Sequence, residues 1–324
     1  MKLKLALISA AALAVAGAVI APQLVAAQAP AAQAPAAAAR PARPAFLPPN
    51  PNEAAPRIPG QNLQGMHVYI RAGLKTHGPG FYDYPQFFAD WSKLLTEKGA
   101  VVDGSVHFPT PDELKAVDVI VMYKGDTGYM SPTERTTLEN YVKRGGGIVL
   151  LHDSMCGPDP VWYAEILGGA KRHGETNFSQ FPIKYDVVDK ASPIMKGFVD
   201  GSVLQDEAFF KMTWAKAGVH ALATTTFPTN ENTTRVGSAG QTVPQIWSYE
   251  HTQPGGTTTA RAFVWMQGHA YPNIAMPQYR DLVLRGIAWA GKRSNVDELV
   301  DYKPPAQPAG RGPQTEADRA ISGQ

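Results

Sequence analysis

Cysteine is nearly absent. Across 324 residues there is one, Cys156, so no internal disulfide can form and the hydrophobic core must hold the fold. Positive charge is not in excess either. Lys and Arg number 30 against 28 Asp and Glu, and Lys2 and Lys4 account for the difference. A body that close to neutral has no basic stripe with which to grip a phosphate backbone, so nucleic acid is not an expected partner. A local zinc motif is also missing, since no two histidines stand four apart on a helical segment. No nucleotide cofactor is expected.

Charge is missing altogether between Lys4 and Arg40. Two lysines precede an Ala/Leu/Val-rich run that ends near Val25-Ala26-Ala27, the pattern of a secretory signal peptide over residues 1–27. The rival reading is an uncleaved membrane anchor. The alanine content argues against it, as do Pro22 and Gln23, which interrupt the run where a spanning helix should still be apolar. No stable span is expected after cleavage, and the chain is expected to be periplasmic or secreted. No cysteine follows the run, which argues against a bacterial lipoprotein. Residues 28–60 are mostly Ala, Pro and Gln and cannot bury a core. Residues 294–324 return to Pro, Gly and polar residues, as a surface strap or tail would. The globular part is expected over 61–293.

Within it, strand-like and helix-like stretches alternate. MHVYIRA (66–72) reads as a strand, and Phe87, Phe88, Trp91, Leu94 and Leu95 repeat at helical spacing. VDVIVMY (117–123) is apolar on both faces, as a central parallel strand should be. Ser131, Pro132 and Glu134 form the start of a helix with a capping box. GGGIVLL then runs to His152. After about Phe181 strands predominate, and a helix over PQYRDLVLRGIAWAGK closes the domain. The expected fold is α/β, with a mostly parallel sheet, helices on both faces and a β-rich C-terminal half.

In open α/β sheets ligands bind beyond the carboxyl ends of the strands. Three chemistries compete in HDSMC (152–156). Cys156 lies beyond the corner where a nucleophile would stand and reads as a packed cysteine. Ser154 lacks the flanking glycines of a nucleophile elbow, since His152 and Cys156 occupy those places. That leaves the imidazole of His152. Its candidate companions are His77, His269 and Glu207, with His173 and Asp206 nearby in sequence pattern. They could hold zinc or a similar divalent metal, or form an acid–base set acting on sugar hydroxyls. Trp162, Tyr163 and Tyr271 are candidates for stacking on a sugar ring.

Laid out in order, these segments resemble the ThuA-like (trehalose-utilisation) family over most of 66–292. THGPGFYDYP resembles the family's first-strand loop, with Phe81-Tyr82-Asp83 where many relatives have Glu-His-Glu. GGGIVLLHDS, WYAEILGGAKRH, SPIMKGF, DEAFF and QGHAYPN resemble successive family segments. The resemblance implies a flavodoxin-like fold of the class I glutamine amidotransferase type, with His152 about where the amidotransferase cysteine would stand. Glutamine hydrolysis is therefore not expected. It further implies a small-molecule sugar as partner, trehalose-related or a keto-sugar. The catalytic set is His152, Glu207, His269 and His77, and the same four could hold a metal. Asp83, Trp162, Tyr163, His173 and Tyr271 are the substrate-binding set. A non-catalytic carbohydrate-binding protein is the alternative.

Overall fold

A computed structural model describes residues 65–175, 178–230 and 237–304. The expected signal peptide, the Ala/Pro-rich stretch and the tail beyond 304 lie outside the described residues. Among the described residues no helix is long and apolar enough to cross a membrane.

The first half alternates as its periodicity dictates. β1 (His67–Ala72) leads to α1 (Tyr84–Glu97), β2 (Val101–Ser105), α2 (Pro111–Leu114), β3 (Val119–Tyr123), α3 (Pro132–Lys143) and β4 (Gly147–Leu151). A single 3-10 turn, His152–Met155, then passes to β5 (Cys156–Gly157), α4 (Pro160–Leu167) and β6 (Gly169–Arg172). The second half is mainly strand. It comprises β7 (Phe178–Lys184), β8 (Asp186–Val187), β9 (Val203–Phe209), β10 (Thr213–Trp214), β11 (Val219–Thr226), β12 (Thr242–His251) and β13 (Ala260–Trp265). Two helices follow, α5 (Tyr271–Ala275) and α6 (Pro277–Ala290).

Local signals set the helix starts. The Ser131 hydroxyl accepts from Glu134 N–H while the Glu134 carboxylate accepts from Ser131 N–H, so the capping box is complete. Thr110 and Glu113 do the same for α2, which sequence periodicity had not revealed in so short a helix. In α1, Tyr84, Phe87, Trp91 and Leu95 form the buried stripe.

The main sheet has eight strands in the order β2-β1-β3-β4-β13-β12-β11-β8. The first five are mutually parallel. The last three pair antiparallel. The order 2-1-3-4 followed by one further parallel strand is the flavodoxin-like arrangement. Side chains alternate along each strand, so the parallel strands feed two cores. Val68, Ile70, Val119, Val121, Val149 and Leu151 join the core of α1 and α6. Tyr69, Ile120, Met122, Ile148 and Leu150 join that of α3 and α4. Helices therefore cover both faces. Outside this sheet β7 and β9 form an antiparallel pair, and β6 joins β5 and β10.

Residues just past 294 run along the domain as a strap. Leu299 is buried, Asp297 accepts from Arg285 Nε at 2.7 Å, and Lys98 donates to the Val300 carbonyl at 3.0 Å.

The parallel sheet brings backbone close to backbone where β4 begins. A Cβ on Gly147 would lie 2.3 Å from the Ala290 carbonyl oxygen at the end of α6. Gly147→Ala should therefore cost about 1–3 kcal/mol through overpacking, read as a lower urea midpoint. An unchanged midpoint would show that α6 is not seated this tightly.

Candidate functional site

The site is built where β4 and β13 end side by side. Their parallel register pairs Trp265 with Leu151, so the residues that follow each strand leave together. His152 adopts a left-handed backbone (φ 54°), a conformation non-glycine residues hold only where the surroundings impose it. Ser154 supplies part of that constraint. Its hydroxyl donates to the Met122 carbonyl (3.0 Å) and accepts from Lys124 N–H (3.1 Å), tying the turn to the end of β3. Ser154 is thus a buried structural hydroxyl.

The carboxylates come from elsewhere. Asp206 and Glu207 lie in the middle of β9, which extends from Val203 to Phe209. A network of buried amides holds β9 against the main sheet. Gln267 donates to the Glu207 carbonyl (3.0 Å) and to Gln245 Oε1 (2.8 Å). Gln245 in turn donates to the Phe209 carbonyl (3.0 Å). Asp206 organises the loop after β13. It accepts from Gly268 N–H, His269 N–H and the Asn273 side chain at 3.2, 3.1 and 2.6 Å.

Three side chains converge as a result. Glu207 Oε2 lies 3.7 Å from His152 Nε2, and Glu207 Oε1 lies 3.4 Å from His269 Nδ1. His152 is fully buried, and desolvation pulls its pKa down to about 4. Its Nδ1 lies 3.1 Å from the Met266 carbonyl, which can only accept. Nδ1 therefore carries the proton, and the Nε2 lone pair points at Glu207. Burial also lowers His269. It raises Glu207, against the hydrogen bond donated by Gln180 at 2.8 Å. Neither His152 Nε2 nor His269 Nδ1 has a hydrogen-bond partner among the described residues. The separations are too long for hydrogen bonds. They are close to the edge of a tetrahedron around zinc with bonds of about 2.0–2.1 Å, roughly 3.3–3.4 Å. One ligand atom from each of the three residues falls within 4.8 Å of the others. The donor set fits a divalent cation.

Two clefts approach this cluster. The first, about 660 Å³, opens beyond β1 and β3 and is lined by His77, Tyr82, Lys124, Asp126, Asp153 and His173 among others. It lies at the topological switch point of the sheet, where ligands are expected. The second, about 410 Å³, is lined by His269, Asp206, Gln180 and Phe81 among others. Tyr82 stands between the first cleft and the imidazoles. Its ring centroid is 5.0 Å from that of His152 and 4.9 Å from that of His269. Its hydroxyl donates to Asp153 Oδ2 at 3.1 Å. Lys171 pairs with Asp153 Oδ1 at 2.7 Å. Burial works against ionisation of Asp153, but the Lys171 ammonium prevails and holds it below the usual carboxylate range.

Comparison with known proteins places the chain. The ThuA family model, described as trehalose utilisation, matches residues 88–290, well over half of the sequence. The chain belongs to the ThuA family. A solved ThuA-like protein from Bacteroides uniformis is 17% identical with a TM-score of 0.52, covering 76% of this chain and 96% of its own. One from Parabacteroides merdae is 16% identical with a TM-score of 0.53, covering 70% and 90%. At that identity the two show a shared fold. No curated protein matches.

Of the residues singled out in this ThuA sequence, His152, Glu207 and His269 meet. His77 does not join them. Its ring stacks on Tyr82 at 4.1 Å and its Nδ1 contacts the Thr76 hydroxyl, leaving it on the cleft side of Tyr82. His173 does line the first cleft. The other four expected substrate contacts line neither cleft. Asp83 is taken up by Lys75 and Gly80 N–H at the start of α1. Trp162 stacks on Tyr163 and donates to Glu139. Tyr163 is buried against Thr127. Tyr271 packs at α5 with its hydroxyl on Asp90. Sequence reasoning missed Asp153, Lys171 and Gln180. Asp153 adjoins His152 and could have been found from that alone; Lys171 and Gln180 carried no local signal.

The buried imidazole couples stability to pH. Unfolded, His152 would titrate near 6.5; folded, it titrates near 4. Between those values the unfolded chain binds more protons. Stability is therefore full above about 6.5 and falls as pH drops toward about 4, by roughly 1.4 kcal/mol per unit of separation. His251, also lowered to about 4 by burial, acts in the same window. With chelator present, His152→Gln should melt with a shallower pH dependence than the parent. Parallel curves would contradict the neutral buried state.

Proposed function

We propose that this ThuA protein is exported to the periplasm or beyond and acts there on a carbohydrate, trehalose-related or a keto-sugar. The observation that carries the reading is the pair of buried, unpartnered ring nitrogens, His152 Nε2 and His269 Nδ1, facing the two oxygens of Glu207. A structural cluster would be expected to satisfy such atoms; leaving them free suits a group that must meet a substrate or an ion.

The first cleft offers a sugar both apolar ring surface and polar contacts, from Tyr82 and Tyr84 on one hand and Lys124, Asp126 and His173 on the other. Glu207 moves the proton. Burial raises its pKa above the usual carboxylate value, which favours a carboxyl that can hold and release a proton. Neutral His152, fixed in one tautomer by the Met266 carbonyl, keeps a lone pair directed at the reacting region. His152, His269 and Glu207 would hold a divalent ion such as zinc, which when bound supplies Lewis acidity toward a sugar carbonyl or hydroxyl oxygen. Isomerisation, elimination and hydrolysis all use this proton-transfer arrangement. Glutamine hydrolysis does not, because His152 occupies the strand end and burial pushes the Cys156 thiol up, away from the thiolate form.

Glu207→Gln keeps the shape of the site and removes the titrating group. Turnover of oxidised or unoxidised disaccharides should fall roughly 10²–10⁴-fold with binding intact; undiminished turnover would remove Glu207 from the chemistry. On elemental analysis of untagged protein, His269→Ala should cost one bound ion per chain, and an ion content equal to the parent's would leave acid–base chemistry without a metal here.

One observation favours a second reading, that of a carbohydrate-binding protein without catalysis. Tyr82 packs against both imidazoles and is anchored to Asp153, so it screens the cluster from the first cleft. Under that reading every sugar in the panel is bound and returned unaltered.

A further inference from the structure

A second convergence of donors lies on the wall of the first cleft. One ligand atom each from Asp126, Cys156 and His173 fall within 4.8 Å of one another. The three come from separate segments: the turn after β3, the start of β5 and the turn after β6. Backbone contacts lock these segments together. Gly128 N–H donates to the Cys156 carbonyl at 2.9 Å, and His173 N–H donates to the Gly157 carbonyl at 3.3 Å. Gly128 and Gly157 approach so closely that a Cβ on Gly128 would lie 2.8 Å from the Gly157 Cα. Asp126 N–H donates to the Asp153 carbonyl at 3.1 Å, with Asp126 itself at φ 59°. The donors are held in place by their backbones.

The plain reading is a hydrogen-bonded Asp126–His173 pair (2.7 Å) beside a packed cysteine. Three features go beyond it. The donors are a sulfur, an imidazole nitrogen and a carboxylate oxygen, the set that borderline-soft divalent metals take. The Cys156 sulfur lies within 4.8 Å of a ligand atom of both Asp126 and His173, so it faces the group. Asp126 and His173 line the cleft while Cys156 is buried behind them. Three protein ligands with one side open is the plan of a zinc site that keeps a position for water or a ligand.

We propose that Asp126, Cys156 and His173 form a second cation site in this protein, for zinc or a similar divalent ion. Its remaining coordination position is turned to the cleft, where a water or an oxygen of the bound small molecule completes it. On binding, the sulfur–hydrogen bond of Cys156 gives its proton to solvent, the sulfur's electron pair coordinates the ion, and the Asp126–His173 hydrogen bond is replaced by two metal contacts. No electron transfer is involved. The negative charge of Asp126 and the new thiolate offsets that of the ion. The neighbouring Lys171 ammonium, paired with Asp153, adds positive charge that favours the thiolate. The site does not depend on the His152–Glu207–His269 cluster.

Cobalt distinguishes the two clusters, because only one contains sulfur. The full chain, untagged and stripped with chelator, is titrated with Co²⁺. A thiolate-to-cobalt charge-transfer band in the near ultraviolet is expected to saturate with one sulfur-bound ion per chain, by two added ions where the His152 cluster also fills, and to be displaced by zinc. Cys156→Ser should abolish the band. His173→Ala and Asp126→Asn, both at partly open positions, should weaken cobalt binding at least tenfold, and they carry the test if the buried Cys156 variant fails to fold. His269→Ala should leave the band unchanged even if it removes turnover, so failure of the sugar chemistry and failure of this site read out separately. Cobalt bound without a charge-transfer band, or a band indifferent to His173 and Asp126, would overturn the assignment.

Discussion

The parallel pairing of β13 with β4 is the contact on which the site depends. With Trp265 opposite Leu151, the Met266 carbonyl arrives beside the His152 ring and accepts a hydrogen bond from its Nδ1–H. The loop that follows carries His269 back over the same strand end. If β13 paired antiparallel, as its neighbour β12 does, the residues after Trp265 would leave at the opposite end of the sheet. His269 would then be separated from His152 by about the length of a strand. Chain direction in one strand therefore decides whether two residues 117 positions apart in the sequence can share a carboxylate.

Glu207 is a different problem, because it belongs to a strand outside the main sheet. The β7–β9 pair could have packed elsewhere on the domain. It is fixed by buried amides, Gln245 and Gln267, whose two-sided hydrogen bonding suits them to join backbone to backbone across a gap between sheets. Asp206 then binds the loop of His269 from the adjacent position on β9. Neighbouring carboxylates on one strand thus take separate tasks. Asp206 is saturated with N–H donors and positions the loop, whereas Glu207 has one donor, Gln180, on an oxygen that also faces an imidazole.

The alternating first half of the fold was legible because its signals are local. The Ser131 capping box, the apolar β3 and the stripe of α1 are each read within a dozen residues. The strands of the second half were legible as strands, but their partners were not, since pairing is a long-range property. In the site, His152 directly follows β4 and His269 lies in the loop just after β13, so the strand runs that precede them point to both. His77 lies beside the His152–Glu207–His269 cluster and not within it, because Tyr82, five residues on, turns back through a left-handed backbone (φ 47°) and stacks on its ring, leaving only an edge contact with His269 at 5.9 Å. Trp162, Tyr163 and Tyr271 lie away from the clefts for another reason. An aromatic side chain suits core packing as well as it suits a sugar, and each hydroxyl or indole N–H here finds a protein partner away from the clefts. Asp83 likewise spends its carboxylate on its own loop.

Asp153 joins these parts. It follows His152 in the chain, so the turn that directs the imidazole one way directs this carboxylate toward Tyr82 and Lys171. Through Tyr82 it influences access to the His152–Glu207–His269 cluster. Through its carbonyl it holds Asp126 beside Cys156 and His173. Its own charge is balanced by Lys171, whose ammonium also acts on His152, Glu207 and Cys156. HDSMC, five residues at the end of one parallel strand, therefore distributes its functional groups to different surroundings. The histidine is buried and neutral, the aspartate is paired, the serine is locked to β3, and the cysteine, past the 3-10 turn, opens β5 beside Asp126 and His173.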